Sequence, residues 1–358
     1  MAKSKFMSLR ALKTYSIETH TTDLKHLCYL DCSDSNISAL PEATTMLYSL
    51  QTLKLIGCQF LRKLPEGMRY MSSLRHIFLV GCYNLERMPQ GIGQLNSLHT
   101  LKNYVIDSDV GRGIDQLNDL NLGGAISLTE LIKVHSAENA KQCNMSAKHN
   151  LKRLSLNWTN GLLYSTCDGY EVDTNAEGIL EALRPHKMLE VLELSNYTGA
   201  KLSSWMYSST LLEHLSELHL SICKNCKDLP PLWLLPSLGY LDLNCFDSLT
   251  SLICGIDDTD NGESCISPPP FFPELETMKV TQMPKLERWY QEVAGQVSHV
   301  SFPHLKKLVI YRCPRLETLP EGLLQQFLAL EELDIRYCPN LKEALGCAYM
   351  NSIEGISY

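Results

Sequence analysis

The pattern in this sequence that comes closest to a chemical site is a pair of cysteines, Cys223 and Cys226, separated by two residues. A C-x-x-C pair can supply half of a zinc site or act as a redox couple. A structural zinc site needs further ligands at a typical spacing, and no second C-x-x-C occurs. Cys223 also occupies the same repeat position as four other cysteines, which favours a buried structural role. We therefore predict that this pair binds no metal.

Other residue arrangements that could support catalysis are missing from the sequence. The eleven histidines are scattered, and none belongs to an H-E-x-x-H, G-x-S-x-G or zinc-deaminase pattern. No G-x-x-x-x-G-K-[ST] phosphate loop occurs, so this chain is not expected to bind a nucleotide by itself. Asp257 and Asp258 are adjacent acids, but they lie in a polar stretch typical of a solvated loop. We expect a protein that is not an enzyme and has no cofactor.

The elements that position the side chains are copies of one repeated segment. Residues 47–89 contain the pattern L-x-x-L-x-x-L-x-L-x-x-C-x-x-L-x-x-L-P twice, with Met71, Ile77 and Met88 replacing three leucines of the second copy. A fixed period between 20 and 29 residues with this spacing is typical of a leucine-rich repeat. The central strand positions, which are 23, 24 and 24 residues apart, are Leu30, Leu53, Ile77 and Leu101.

This periodicity predicts an α/β repeat fold, a leucine-rich-repeat solenoid of about twelve repeats. In a strand, alternate side chains point to opposite faces, so Leu53 and Leu55 should enter the core while Lys54 faces solvent. One repeat cannot bury enough apolar surface alone, so neighbouring copies must stack. We expect a curved horseshoe with a parallel β-sheet on the concave side and irregular, partly helical or 3-10 segments on the convex side.

The repeats and their interruptions divide the chain into segments of one predicted domain, residues 1–358. Residues 1–104 are regular repeats, residues 105–150 an irregular repeat plus a helix over 137–149, and residues 151–252 repeats with an insertion near 160–177 and a helix over 179–183. Residues 253–271 form a polar, proline-rich insertion that we expect to be mobile. Residues 272–345 are the C-terminal repeats, and residues 346–358 are a tail without repeat content.

Charge is distributed unevenly along the chain. The formal net charge is −8 and the isoelectric point is 5.8, which does not favour nucleic-acid binding. Residues 1–103 carry 12 Lys and Arg against 7 Asp and Glu, which gives +5, whereas residues 104–358 carry 20 against 33, which gives −13. The N-terminal and C-terminal repeats should therefore attract partners of different charge.

The sequence also suggests a compartment. No segment is long and apolar enough to span a bilayer, and the N-terminus contains no apolar core of a signal peptide. Of the fourteen cysteines, five occupy the same repeat position and are explained as small buried residues: Cys58, Cys82, Cys223, Cys313 and Cys338. Because this usage does not require disulfides, we expect a reducing, cytoplasmic environment, with the nucleus or a membrane reached only through partners.

Strand alternation also predicts which side chains face solvent on the concave sheet. Charged and aromatic residues on a rigid surface are what protein-binding sites use, so we interpret this face as a protein-binding surface rather than only as a solvated one. Its candidate residues are Tyr29, Asp31, Lys54, His76, Phe78, Lys102, Arg153, Glu193, Glu217, His219, Tyr240, Asp242, Lys279, Lys307, Tyr311, Glu332, Asp334 and Arg336.

Several phrases of the sequence resemble a known family. LPEGMRYMSSLRHI, GIGQLNSLHTL and GRGIDQLNDLNLGGAISL are similar to the repeat region of plant disease-resistance receptors of the nucleotide-binding, leucine-rich-repeat type, coiled-coil subclass. The resemblance covers nearly the whole chain and is most specific between residues 24 and 158. Extracellular plant repeats usually return through L-x-G-x-I-P, whereas this chain uses L-P-E-G and M-P-Q-G. That difference argues against a cell-surface receptor.

The resemblance implies a recognition and autoinhibitory module of an intracellular immune receptor. The N-terminal repeats would dock on the nucleotide-binding domain of the same receptor, and the C-terminal repeats would engage a pathogen effector or a guarded host protein. The coiled-coil and nucleotide-binding domains of such receptors are not in this sequence, so switching between ATP and ADP is not expected from it alone.

The sequence leaves two other functions open. The chain could be a free-standing repeat scaffold that bridges signalling proteins, which its binding partners would reveal. It could also be a substrate adaptor like the repeats of ubiquitin-ligase subunits, although no F-box-like helical segment precedes residue 24.

Overall fold

The computed structural model describes residues 8–16, 24–159, 174–253, 272–290, 302–319 and 330–341. Contacts divide the chain into two compact units. Unit 1 comprises residues 1–169 and 178–186, and unit 2 comprises residues 170–177 and 187–358. The single domain that the sequence suggested stays a prediction, and each unit is described by itself.

Unit 1 is built from short parallel strands. Its strands are β1 (Ala11–Lys13), β2 (Tyr29–Asp31), β3 (Thr52–Lys54), β4 (His76–Phe78), β5 (Thr100–Leu101), β6 (Tyr104–Val105), β7 (Gly124–Thr129) and β8 (Leu151–Asn157). Strands β1 to β5 pair in chain order, and β7 pairs with β6 and β8. Leu30, Leu53, Ile77 and Leu101 are partners in register, as the spacing predicts.

Unit 2 has the same parallel arrangement with longer strands. These are β9 (Val191–Ser195), β10 (Glu217–Ser221), β11 (Tyr240–Asn244), β13 (Thr277–Thr281), β15 (Lys307–Tyr311) and β16 (Glu332–Arg336), paired in that order. A separate two-stranded ladder joins β12 (Ser251–Ile253) and β14 (Arg288–Tyr290). Parallel strands linked by long returns are what stacked repeats require, and the predicted leucine-rich-repeat fold is confirmed.

The core lies on the inner side of the strands. Leu53 and Leu55 are fully buried, and Lys54 between them is only half-buried. The repeat cysteines are buried as predicted, and the thiols of Cys58, Cys82, Cys313 and Cys338 bond main-chain carbonyls of the preceding repeat. The Cys58 thiol donates to the Cys32 carbonyl at 3.1 Å, and Cys82 donates to the Leu55 carbonyl at 2.9 Å. A small weak donor at this position therefore joins one repeat to the next.

The return segments on the other side contain short 3-10 helices. In the described residues these span Glu42–Met46, Glu66–Tyr70, Ile92–Gln94, Ile114–Leu117, Leu131–Lys133, Met145–Ala147, Ser204–Tyr207 and Leu232–Leu234. A leucine-proline pair precedes the first two of these helices. Proline suits the start of a helix because it has no main-chain N–H, and the first N–H groups of a helix have no partner within it.

Carboxylates connect successive 3-10 helices. Glu42 accepts the main-chain N–H of Glu66 at 2.7 Å, and Glu66 in turn accepts the N–H of Gln90 at 3.0 Å and the Arg112 guanidinium at 3.0 Å. Partial burial raises the pKa of Glu66, but the hydrogen bonds from Arg112 and Gln90 outweigh that effect and hold the pKa below its usual value. Glu42 therefore caps the first turn of the helix Glu66–Tyr70, and Glu66 bonds the main chain just before the helix Ile92–Gln94.

The helices differ from their predicted bounds. The helix predicted over 137–149 is α1 (Ala137–Lys141), followed by the separate 3-10 helix Met145–Ala147. Ser136 caps α1 by accepting the N–H of Asn139 at 3.2 Å, and Asn144 interrupts the segment with a left-handed φ of 49°. Helix α2 (Thr174–Ala182) begins inside the insertion predicted near 160–177 and ends one residue before the predicted end, ahead of Pro185.

Some predicted segments fall outside the described residues. These are most of the 160–177 insertion, the 253–271 insertion except Ile253, and the whole tail over 346–358. Ile253 and residues 251–252 belong to β12, so regular structure extends to the first residue of the second insertion. The sequence predicts about twelve repeats. The described residues contain thirteen repeats with a strand, counting β5 and β6 as one repeat and leaving out the β12–β14 pair.

Candidate protein-interaction surface

Seventeen of the eighteen candidate surface residues lie on the predicted strands, and Lys102 directly follows β5. All eighteen are half-buried or exposed, and none is buried. Seven belong to unit 1, the last of them Arg153 on β8, and eleven belong to unit 2. The structure thus places these side chains on the solvent face of the sheet, where alternation puts them. Whether that face binds a protein stays a prediction.

In unit 1, cations and aromatic rings alternate across neighbouring strands. The Lys54 ammonium lies 5.3 Å from the ring centre of Tyr29 and 5.5 Å from that of Phe78, and the Lys102 ammonium lies 5.6 Å from Phe78. Each distance is within the range of a cation–π interaction. We call Tyr29, Lys54, Phe78 and Lys102 the basic–aromatic row.

Two titratable residues flank the basic–aromatic row. Partial burial raises the pKa of Asp31, but hydrogen bonds from Ser33 and Tyr29 outweigh it and lower the pKa below its usual value. Burial, with the neighbouring charges of His99 and Arg75, lowers the pKa of His76. At neutral pH Asp31 is therefore ionised and His76 uncharged, so the two lysines of the row outnumber the one carboxylate that flanks it.

In unit 2, the register aligns the candidate residues in three rows across the strands. The first row is Val191, Glu217, Tyr240, Thr277, Lys307 and Glu332; the second is Glu193, His219, Asp242, Lys279, Val309 and Asp334; the third is Ser195, Ser221, Asn244, Thr281, Tyr311 and Arg336. The third row is mostly small and polar until it reaches β15 and β16.

Opposite charges form ion pairs within and between these rows. The Lys307 ammonium is 2.7 Å from Glu332, and the Arg336 guanidinium is 2.7 Å from Asp334. Lys279 instead lies 5.3 Å from the ring centre of Tyr240, whose hydroxyl raises the pKa of that lysine. The face of unit 2 is therefore mixed in charge, in contrast to the basic–aromatic row of unit 1.

Cys223 and Cys226 occupy successive buried anchor positions of one repeat, and both thiols are free. Cys226 lies 3.6 Å from the carbonyl of Gly199, and burial raises the pKa of Cys223. Throughout the part of the chain that the structure describes, no group of three or more His, Cys, Asp or Glu side chains is placed to hold a metal ion. In the same residues, no helix has the length and apolar character needed to cross a membrane.

Sequence reasoning missed two surface residues, Arg312 and Tyr337. Both immediately follow a strand and have left-handed backbones, with φ of 54° and 56°. The Arg312 guanidinium carbon lies 5.2 Å from the ring centre of Tyr311 and 5.8 Å from that of Tyr337, and the two rings meet edge to face with 5.3 Å between their centres. We call these three residues the tyrosine–arginine corner.

Alternation along a strand could not have identified these two residues, because both lie beyond the strand ends. The available signal is their position directly before the repeat cysteine, since Arg312 precedes Cys313 and Tyr337 precedes Cys338. Gly57 holds the same position in unit 1 and is also left-handed, with a φ of 72°. Aligning the copies on the cysteine would therefore have shown large side chains where glycine fits more easily.

Two families of known repeats match this chain. The family described as R13L1/DRL21 LRRs matches residues 114–246, and the family described as plant disease resistance protein RPS2-like, leucine-rich repeats, matches residues 188–343. The two matches overlap, so together they extend from residue 114 to residue 343.

Individual proteins of similar sequence are named for disease resistance. A protein of Arabidopsis thaliana whose name places it among disease resistance proteins is 38% identical over 94% of this chain and 23% of its own length. Disease resistance protein RGA2 of Solanum bulbocastanum is 30% identical over 69% of this chain and 26% of its own length. The chain thus spans about a quarter of the length of the curated relatives it matches.

A solved structure supports the fold alone. An internalin from Listeria monocytogenes has a TM-score of 0.50 at 13% sequence identity, over 93% of this chain and 88% of that one.

Proposed function

This chain belongs to the leucine-rich-repeat families of plant disease resistance proteins, and on that premise we propose that it is the protein-recognition and autoinhibitory module of an intracellular plant immune receptor. It acts in plant disease resistance by binding proteins through the strand face. The N-terminal repeats dock on the nucleotide-binding domain of the receptor, and the C-terminal repeats engage a pathogen effector or a guarded host protein. The module works in the cytoplasm and catalyses no reaction.

The observation that carries this proposal is the contrast between the two strand faces. The basic–aromatic row of unit 1 presents two ammonium groups among aromatic rings, and ion pairs neutralise much of the charge on the face of unit 2. A positive patch selects an acidic partner surface and speeds its association. Aromatic residues supply the apolar contact that stabilises such interfaces.

The mechanism is a shift between two receptor populations. Docking of the basic–aromatic row favours the inactive arrangement, and a ligand that binds only the released arrangement favours the active one. A ligand can shift this equilibrium only by the difference between its affinities for the two states. The N-terminal contact must therefore be weak enough for ligand binding to overcome it.

Charge reversal of the basic–aromatic row tests the docking contact. The variant Lys54→Glu/Lys102→Glu is produced in a receptor whose repeats are this chain, and association of the chain with the preceding domains is measured by co-precipitation. We expect association to weaken at least about tenfold and basal signalling to rise, because two attractive charges become repulsive.

The matched control is Lys63→Glu/Lys141→Glu, which reverses two exposed lysines away from the solvent face of the sheet. It should leave association unchanged. Unchanged association and basal signalling in the Lys54→Glu/Lys102→Glu variant would show that the docking assignment is wrong.

A further inference from the structure

The tyrosine–arginine corner occupies a backbone position that recurs at the strand ends of both units. Arg312 donates its main-chain N–H to the carbonyl of Arg336 at 3.0 Å, just as Gly57 in unit 1 donates to the carbonyl of Val80 at 2.8 Å. This bond fixes the left-handed backbone at the end of the strand. Side chains at this position therefore line the edge of the sheet in a fixed order, one per repeat.

Unit 2 fills this edge position with side chains although glycine fits a left-handed backbone better. From β10 to β16 the position holds Ile222, Cys245, Gln282, Arg312 and Tyr337, each with φ between 56° and 57° except Arg312 at 54°. The backbone bond is formed with glycine in unit 1, so the fold does not need these side chains. These side chains are therefore available for contacts at the surface.

Among the residues that the structure describes, Arg312 differs from Arg315 and Arg336 in having no acidic partner. Within the described residues, Arg336 pairs with Asp334 at 2.7 Å and Arg315 with Glu287 at 3.6 Å, whereas no carboxylate lies within ion-pair distance of Arg312. Contact with aromatic rings engages the flat side of a guanidinium and leaves the N–H groups at its rim available. Tyr311 and Tyr337 thus hold a charged donor group in place without neutralising it.

We infer that the tyrosine–arginine corner is a binding site for a carboxylate side chain, Asp or Glu, on an extended segment of a partner protein. This inference rests on the proposed function, because it takes the solvent face of the sheet as a protein-binding surface. A guanidinium fork binds a carboxylate through two parallel hydrogen bonds. Tyrosine and arginine are also among the residues that most often dominate binding energy at protein interfaces.

The third row of unit 2 suits the rest of such a segment. It leads from Tyr311 back through Thr281, Asn244 and Ser221, whose polar groups already bond one another across strands: Thr281 donates to Asn244 at 3.0 Å, and Asn244 donates to Ser221 at 3.3 Å. Hydroxyl and amide groups can exchange such bonds for bonds to a peptide main chain. The acidic residue then lies in the corner, and the neighbouring peptide groups lie along the row.

The test selects random peptides displayed on phage against the whole chain and measures the affinity of synthetic copies of the selected peptides. The variant is Arg312→Gln, since glutamine already occupies the equivalent left-handed position at Gln282. The matched control is Arg315→Gln in the same repeat. We expect the selected peptides to contain an essential Asp or Glu. Their affinity for the Arg312→Gln variant should be at least about tenfold lower than for the wild type, and their affinity for the Arg315→Gln variant should be unchanged.

Further variants separate carboxylate binding through the guanidinium fork from attraction by positive charge alone. Exchange of the peptide acid for its amide should cost as much affinity as Arg312→Gln, and Arg312→Lys should restore only part of it, because lysine keeps the charge without the fork. The inference is overturned if no peptide is selected, if the selected peptides lack acids, if they bind Arg312→Gln as they bind the wild type, or if binding requires phosphoserine in place of the acid. None of these results bears on the proposed docking of unit 1, which depends on Lys54 and Lys102.

Discussion

At the scale of single residues, Lys148 shows how a buried charge can be accommodated without an ion pair. The residue is 3% exposed, and its ammonium donates to the carbonyls of Leu117 at 2.7 Å and Leu120 at 3.0 Å. These carbonyls lie at and just after the end of the 3-10 helix Ile114–Leu117, and each also accepts a main-chain N–H, from Leu120 at 3.4 Å and from Leu122 at 3.0 Å. Burial lowers the pKa of Lys148, so its charge carries a desolvation cost that the two carbonyls offset.

We predict that Lys148→Met destabilises the protein by about 2 kcal/mol. Methionine has a similar length but cannot donate, so each of the two buried carbonyls loses its charged donor and keeps only its main-chain bond, which outweighs the relief of removing a buried charge. Urea unfolding followed by circular dichroism measures the loss. Lys141→Met is the matched control, because that exposed lysine only pairs with Glu138 on α1 and should contribute about 0.5 kcal/mol or less. Equal losses in the two variants would contradict the stabilising role of the two carbonyl contacts.

At the scale of elements, the left-handed turns beside the strands depend on how much space surrounds them. Gly81 and Gly124 are both left-handed, with φ of 81° and 72°. A Cβ at Gly81 would lie 3.1 Å from the Cα of Gly57 in the adjacent repeat, whereas a Cβ at Gly124 would meet nothing within 4 Å. The same backbone conformation thus occurs once in a crowded place and once in an open one.

We predict that Gly81→Ala costs more stability than Gly124→Ala. Both substitutions place a Cβ on a left-handed backbone, at a cost of about 1–2 kcal/mol. Only Gly81→Ala also forces two repeats apart, which should add about 1 kcal/mol or more. Equilibrium unfolding in urea measures the free energy of unfolding of the two variants. A smaller decrease for Gly81→Ala than for Gly124→Ala would show that the close approach of the two repeats at Gly81 does not determine the cost of the substitution.

The repeat pattern allowed the strands to be predicted better than the segments between them. Leu53 and Lys54 followed from alternation, because the strand that holds them has one buried and one solvent face. The break at Asn144 did not follow, because residues 137–149 have no strong helix-stopping proline or glycine and the break depends on a left-handed asparagine. Arg312 and Tyr337 were missed because their importance comes from contacts between repeats.

At the scale of the whole molecule, the cysteines distinguish exposed from protected parts of the chain. Among the described residues, Cys28 and Cys245 are half-buried and the other cysteines are buried. Burial raises the pKa of the Cys32 thiol to about 12, so little reactive thiolate forms there at neutral pH.

We therefore predict that a thiol reagent modifies Cys28 and Cys245 well before Cys32, Cys82 and Cys313 in the folded protein. Peptide mapping by mass spectrometry after short exposure to iodoacetamide measures the order. Addition of denaturant should make all of these sites react at similar rates, because burial alone protects the slow ones. Rapid modification of Cys82 in the native protein would show that the repeats open locally.

The carboxylates that bond the following repeat give this part of the chain a direction. Glu42 accepts the first N–H of the next 3-10 helix, and Glu66 accepts the N–H of Gln90 just before the one after, so each return segment relies on its predecessor. Removing the earlier repeat leaves its successor with unpaired amides, whereas removing the later repeat only releases an acid into water. Between residues 42 and 90, gene rearrangements that trim whole repeats should thus be tolerated more readily from the C-terminal end than from the N-terminal end.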